Sequence, residues 1–215
     1  MQGNVLDITT ETRQLNGVVR PTLIICSVMA VIGIAGSLIL ARGAEHGMDH
    51  LLETYLVSFA FFLSLALGAL FFVLLQHCTR DGWSVVVRRI AEAMAANVWL
   101  MAVLAIPIVL GMDHLYHWTD AAAAAHDPLL AGKLGFLNPT FFIVRLIVYF
   151  LIWGLMASFL FRTSLAQDAS GEPALTIRME RFSAPGMVLF ALSLNFAAFD
   201  PVSYTHLRAH ETRAF

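Results

Sequence analysis

Charged residues disappear from this chain for about twenty positions at a time, and these uncharged stretches predict its elements. Pro21 to Ala41 carries no charge over 21 residues. At about 1.5 Å per helical residue it reaches roughly 31 Å, the thickness of a hydrocarbon core. Tyr55 to Gln76 is also uncharged and rich in aromatic residues. Ala91 to Met112 carries Glu92, Asn97 and Pro107, and Phe141 to Phe161 carries Arg145. Ser183 to Phe199 is shorter, at the lower limit of about 17 residues for a span. Strands crossing a membrane would be shorter and would alternate, so these stretches predict helices. The expected fold is all-α, an integral membrane bundle of about five transmembrane helices. It has a cytoplasmic tail over 1–20, a membrane domain over 21–199 and a polar tail over 200–215.

Two finer features refine this pattern. Ala60, Ser64 and Gly68 recur every four residues on the second helix, as do Gly33 and Ser37 on the first. Small residues at that spacing let helix backbones approach closely, which predicts bundle packing. Pro107 is predicted to kink the third helix near its outer end.

Composition agrees. Of 215 residues, 59% are hydrophobic and 13% charged, with mean hydropathy +0.75. A soluble domain averages about 25% charged residues, and its surface would still need polar cover. Lipid is the solvent that fits. The net charge of -2 and the lack of any basic run argue against nucleic-acid binding. Cys26 and Cys78 show no metal or redox spacing. The first apolar run begins too late and is too long for a secretory signal, so it is expected to stay as an anchor.

Orientation follows from where lysine and arginine gather. Arg13 and Arg20, then Arg80, Arg88 and Arg89, then Arg162, Arg178 and Arg181 fall on one side of a five-helix alternation. Only Arg42 and Lys133 fall in loops on the other. The N-terminus is therefore expected in the cytoplasm.

The candidate chemistry lies at the two ends of the third helix. Asp113, His114 and His117 follow it on the outer side. If the helix runs one turn further, Asp113 and His117 share a face, and a carboxylate holding a histidine there can accept a quinol proton. A wet loop is the plainer reading. Arg145 sits shallowly in the fourth helix, either reaching back to the surface or pairing with that acidic group, since a charge buried in a membrane is costly. Glu92 starts the third helix beside Arg88 and Arg89. It is a salt-bridge partner at a helix N-terminus or a carboxylate for cytoplasmic proton uptake, with Asn97 extending the path. His46 and His50 share a metal-compatible spacing without a third ligand. No helix core contains a histidine for haem, and no iron–sulfur cysteine set or phosphate loop occurs.

Several segments taken in order carry a resemblance. They are Gly82-Trp83-Ser84 leading to Arg88-Arg89, and His114-Leu115-Tyr116-His117-Trp118. His126-Asp127 then leads to Gly132-Lys133-Leu134-Gly135-Phe136-Leu137-Asn138, followed by Phe141 to Arg145 and finally Ser164-Leu165-Ala166-Gln167-Asp168. Over roughly residues 15–199 this order resembles the quinol:cytochrome c oxidoreductase membrane subunits of bacterial alternative complex III, within the NrfD-like polysulfide-reductase superfamily. The resemblance implies the N-terminal half of a bundle of about ten helices in the bacterial inner membrane. Such a subunit binds no cofactor itself and is not catalytic alone. Its implied partners are a sister membrane subunit, a periplasmic iron–sulfur protein and c-type cytochromes, so haem c and iron–sulfur clusters sit in those partners and quinol is the substrate. The matching positions are Asp113, His114, His117 and Arg145. The tail from Pro201 onward departs from the family and reads as a non-native addition unsuited to continuing the fifth helix. Two rival readings are a small transporter or channel, which would want deep ionisable residues or broken helices, and a purely structural assembly subunit.

Overall fold

The computed structural model describes residues 16–44, 47–80, 85–115 and 138–211. No strand occurs among them, and helices account for nearly all. The helices are α1 (Asn16–Gly43), α2 (Gly47–Thr79), α3 (Val85–Ala96), α4 (Val98–Leu104), α5 (Ile106–Leu110), α6 (Met112–Leu115), α7 (Pro139–Ser170) and α8 (Pro173–Glu211). Four segments are long and apolar enough to cross a membrane: Gly17–Gly43, Gly47–Thr79, Val87–Leu110 and Pro139–Ser170. The chain is thus an all-α, multi-pass membrane bundle. The fifth apolar stretch lies within α8.

The chain divides into two compact units, one ending at Leu51 and the other starting at Leu52. In the first, the hydroxyl of Thr22 donates to the Val18 carbonyl at 2.7 Å and that of Ser37 to the Gly33 carbonyl. Hydroxyls that bond within their own helix need no water, as a lipid environment requires.

In the second unit the core lies where α2, the α3–α6 rod, α7 and α8 meet. Leu70, Leu74, Val98, Leu160 and Met179 are fully buried there. Large apolar side chains also cover the outside, among them Phe61, Ile90, Leu110, Leu155 and Val188. A helix that is apolar all round belongs in lipid.

Residues 85–115 form one rod in four pieces. The Asn97 N–H bonds only three residues back, to the Met94 carbonyl at 3.2 Å. Pro107 has no N–H to give, and the rod breaks on either side of it, at Ala105 and Gly111. The expected irregularity at Pro107 is present, and a second at Asn97 accompanies it.

The α7 helix opens with a cap. The Asn138 side chain accepts from the Thr140 N–H at 2.9 Å, and Pro139 takes the first helical position, where its missing donor costs nothing. It closes at Gly171, whose φ of 66° lets the chain turn and whose N–H reaches the Gln167 carbonyl at 2.7 Å. Two residues later α8 begins, so α7 and α8 form an antiparallel hairpin. Trp153 Nε1 donates to Ser193 Oγ at 2.9 Å across it, in a buried site. Replacing Ser193 with alanine strands that indole N–H, and is expected to cost about 1–2 kcal/mol in detergent unfolding. A loss within error of zero would contradict the assignment.

Three sequence expectations need correction. Arg178 and Arg181 are not in a loop but on the first turns of α8, and Arg162 lies within α7. Charge marks where lipid ends, whereas backbone hydrogen bonding carries the helix onward. The polar tail does continue α8, as backbone helix to Glu211; Leu207–Glu211 consists largely of good helix formers, and a helix can pass a proline such as Pro201 at the loss of one bond. The stripe of Ala60, Ser64 and Gly68 does not seat a close helix among the described residues. It lines an open apolar groove of about 500 Å³ with Phe71, Trp153 and Phe190, and a Cβ built on Gly68 meets nothing within 4 Å.

Candidate functional site

The arginine-rich end of the second unit carries the densest buried chemistry. On α3, Arg88 and Arg89 stand four and three residues before Glu92, so all three side chains converge on one face. Arg88 Nε lies 3.5 Å from Glu92 Oε1 and Arg89 Nη1 lies 3.1 Å from Glu92 Oε2. From α7, Asp168 forms an ion pair with the other Arg89 nitrogen. The carboxylate of Glu92 is only 1% exposed, while Asp168 is 59% exposed. Asp168, Arg89 and Glu92 therefore run from the surface into the bundle.

The inner end of that chain is incompletely bonded. The fully buried Ser164 hydroxyl approaches the Glu92 carboxylate from α7. Ser164 Oγ and Gln167 Oε1 have no hydrogen-bond partner among the described residues, and Glu92 Oε1 is held only by the 3.5 Å ion pair with Arg88 Nε. Buried polar atoms normally find partners, so the Ser164 hydroxyl marks a place for a bridging water. The Gln167 amide donates to Thr176 Oγ1, tying this end of α7 to α8.

Beside it, α2 ends in Gln76 and His77, both buried, with Gln76 Oε1 and His77 Nε2 open. Arg80 follows with φ of 55°, a left-handed conformation unusual for a side-chain-bearing residue. Its Nε pairs with Glu180 Oε2 of α8 at 3.0 Å. Arg178 lies 5.3 Å over the Phe159 ring.

The expected sites fare unevenly. Glu92 joins Arg88 and Arg89, as its spacing implies. Asn97 does not extend the path: it is exposed while Glu92 is buried, because five residues rotate a helix by about 140°. Arg145 is 9% exposed and folds its guanidinium to 4.6 Å above the Phe141 ring, so it packs against the bundle near the start of α7. Asp113 and His114 fall on the backbone of α6, and the third helix does run past Met112. Their side chains and His117 lie outside the described residues, as does His46, while His50 is on the first turn of α2. No group of three metal-ligating side chains occurs among the described residues.

Sequence reasoning missed Ser164, Gln167, His77 and Gln76 as buried polar groups. Ser164 and Asp168 are four apart and thus share a face of α7, a signal that was available. Gln76 and His77 carried none beyond their place at the end of an apolar run.

A comparison with protein-family models gives no match, and a comparison with curated proteins gives none either.

Proposed function

We propose that this chain is a membrane subunit of a respiratory quinol-oxidising electron-transfer complex in the bacterial inner membrane. It contributes helical scaffold and a proton path, holds no redox cofactor of its own and is not catalytic alone. Haem c and iron–sulfur clusters belong to the proposed partners, namely a sister membrane subunit, a periplasmic iron–sulfur protein and c-type cytochromes. The arginine-rich end faces the cytoplasm, in keeping with the positive-inside rule. The outer Asp113, His114, His117 and Arg145 form the quinol-facing group.

The observation that carries this reading is Glu92. A membrane bundle gains little from a buried ion pair, since burial costs about what pairing returns. An ionisable residue held there is a functional candidate by default. Glu92 is 1% exposed and shares Arg89 with the exposed carboxylate of Asp168, and the two carboxylates, not the arginine between them, are the groups that can carry a proton. The order of motifs from Gly82 to Asp168 supports the quinol assignment.

The purely structural reading draws on the same cluster, since Arg89 holds Glu92 within α3 and also pairs with Asp168 of α7. The Glu92→Gln variant separates the two in the intact complex, because it keeps shape and acceptor but cannot ionise. Proton uptake coupled to quinol oxidation is expected to fall about tenfold or more, and His117→Ala is expected to slow quinol oxidation about a hundredfold. Unchanged turnover and proton release in both would leave only the scaffold.

A further inference from the structure

The groups around His77 form a second site that the proton path does not use. Between the end of α2 and the first turns of α8 lies a cavity of about 600 Å³, lined by His77, Arg80, Glu180 and Arg181, with Ile177 and Ala184 on its apolar side. Three features define what it can hold. The guanidiniums of Arg80 and Arg181 outnumber the single carboxylate of Glu180, which Arg80 engages at 3.0 Å. His77 is 96% buried (4% exposed), and its Nε2 has no hydrogen-bond partner. The cavity also lies at the end of α2, one of the four candidate spans, beside the charged first turns of α8.

We propose that this cavity binds a phosphate group, with Arg181 and Arg80 supplying charge and His77 forming part of its inner wall. Ile177 and Ala184 offer an apolar flank beside it, which fits a phosphodiester carried by an anionic phospholipid whose acyl chains run down α2 and α8. Basic pockets between transmembrane helices hold lipid headgroups in this manner. Free inorganic phosphate has the same chemistry without the chains. The site stands apart from the quinol assignment and rests only on the membrane-bundle fold.

The test uses the full chain in detergent, delipidated and then titrated with dioleoyl phosphatidylglycerol, dioleoyl phosphatidylcholine or inorganic phosphate. Binding is followed by native mass spectrometry. The expected result is one phosphatidylglycerol retained per chain, with phosphatidylcholine bound about tenfold more weakly. Arg181→Gln, an exposed change that leaves packing intact, is expected to weaken phosphatidylglycerol about fivefold. Arg162→Gln on α7, outside the cavity, is expected to leave it unchanged. If inorganic phosphate alone binds and shows the same sensitivity to Arg181→Gln, free phosphate is the source and the site stands. Equal retention by the wild type and Arg181→Gln overturns the proposal, and so does equal binding of the two lipids with no phosphate binding.

Discussion

Glu92→Leu is expected to destabilise the bundle by about 3 kcal/mol. Removing one partner from a buried ion pair costs about 3–5 kcal/mol, and here Arg88 loses its carboxylate while Arg89 keeps Asp168. The lower end applies, because the Arg88 and Arg89 side chains are 21% and 36% exposed and can turn partly to solvent. Glu92→Gln retains an oxygen for the Arg89 bond and is expected to lose about half as much. Asp168→Asn, at the exposed end of the chain of charges, is expected to lose about 1 kcal/mol or less. Unfolding in mixed micelles by titration with a denaturing detergent ranks the three. A leucine variant as stable as the wild type would show that the Glu92 ion pairs do not stabilise the bundle. The same series guards the functional test, since a loss of proton uptake in Glu92→Gln counts only where the bundle remains folded.

Gly154→Val has a comparable expected effect for a different reason. Trp99 of α4 lies against Gly154 of α7, and a Cβ built there meets the indole ring at 2.7 Å. The ring is also tied to the same helix, one turn on, by a 2.8 Å hydrogen bond from Nε1 to Ser158 Oγ, so it cannot retreat from α7 without giving up that bond. Overpacking of a fitted contact costs about 1–3 kcal/mol, and valine should reach the upper end. The contact itself is tested by a double-mutant cycle with Trp99→Leu. In the Trp99→Leu background Gly154→Val is expected to cost at least about 1 kcal/mol less than in the wild type. Additive losses would show that the helices do not meet at this point. Tight glycine–tryptophan packing fits a membrane, where close van der Waals contact and not the hydrophobic effect joins helices.

Particular residues show how far the sequence carried this account. The apolar runs located the helices, because lipid demands about twenty uncharged residues whatever the fold. Helix ends were read too short. Thr163 to Ser170 and Pro173 to Phe182 remain helical outside the apolar runs, because a charged side chain ends contact with hydrocarbon and does not break backbone bonds. The cap at Asn138-Pro139 and the turn at Gly171 were legible from local rules and would have set those ends. Which face of α2 or α7 is buried was not legible, since both lipid and core accept leucine and phenylalanine. The stripe of Ala60, Ser64 and Gly68 was accordingly assigned to close helix packing and instead lines a groove. At the candidate site, Glu92 with Arg88 and Arg89 was legible as a local spacing. Asp168, more than seventy residues away, joins them only through the antiparallel meeting of α3 and α7, which no local pattern reports.

The proposed topology has these helices crossing a membrane with the Arg80–Arg89 connection facing inward. Single-cysteine labelling in intact cells tests it most directly, after Cys26 and Cys78 have been replaced by serine. A membrane-impermeant maleimide is expected to label Ala123→Cys in whole cells and Ser84→Cys only after the membrane is opened. Labelling of Ser84→Cys from outside, or of both positions from one side, would contradict the account.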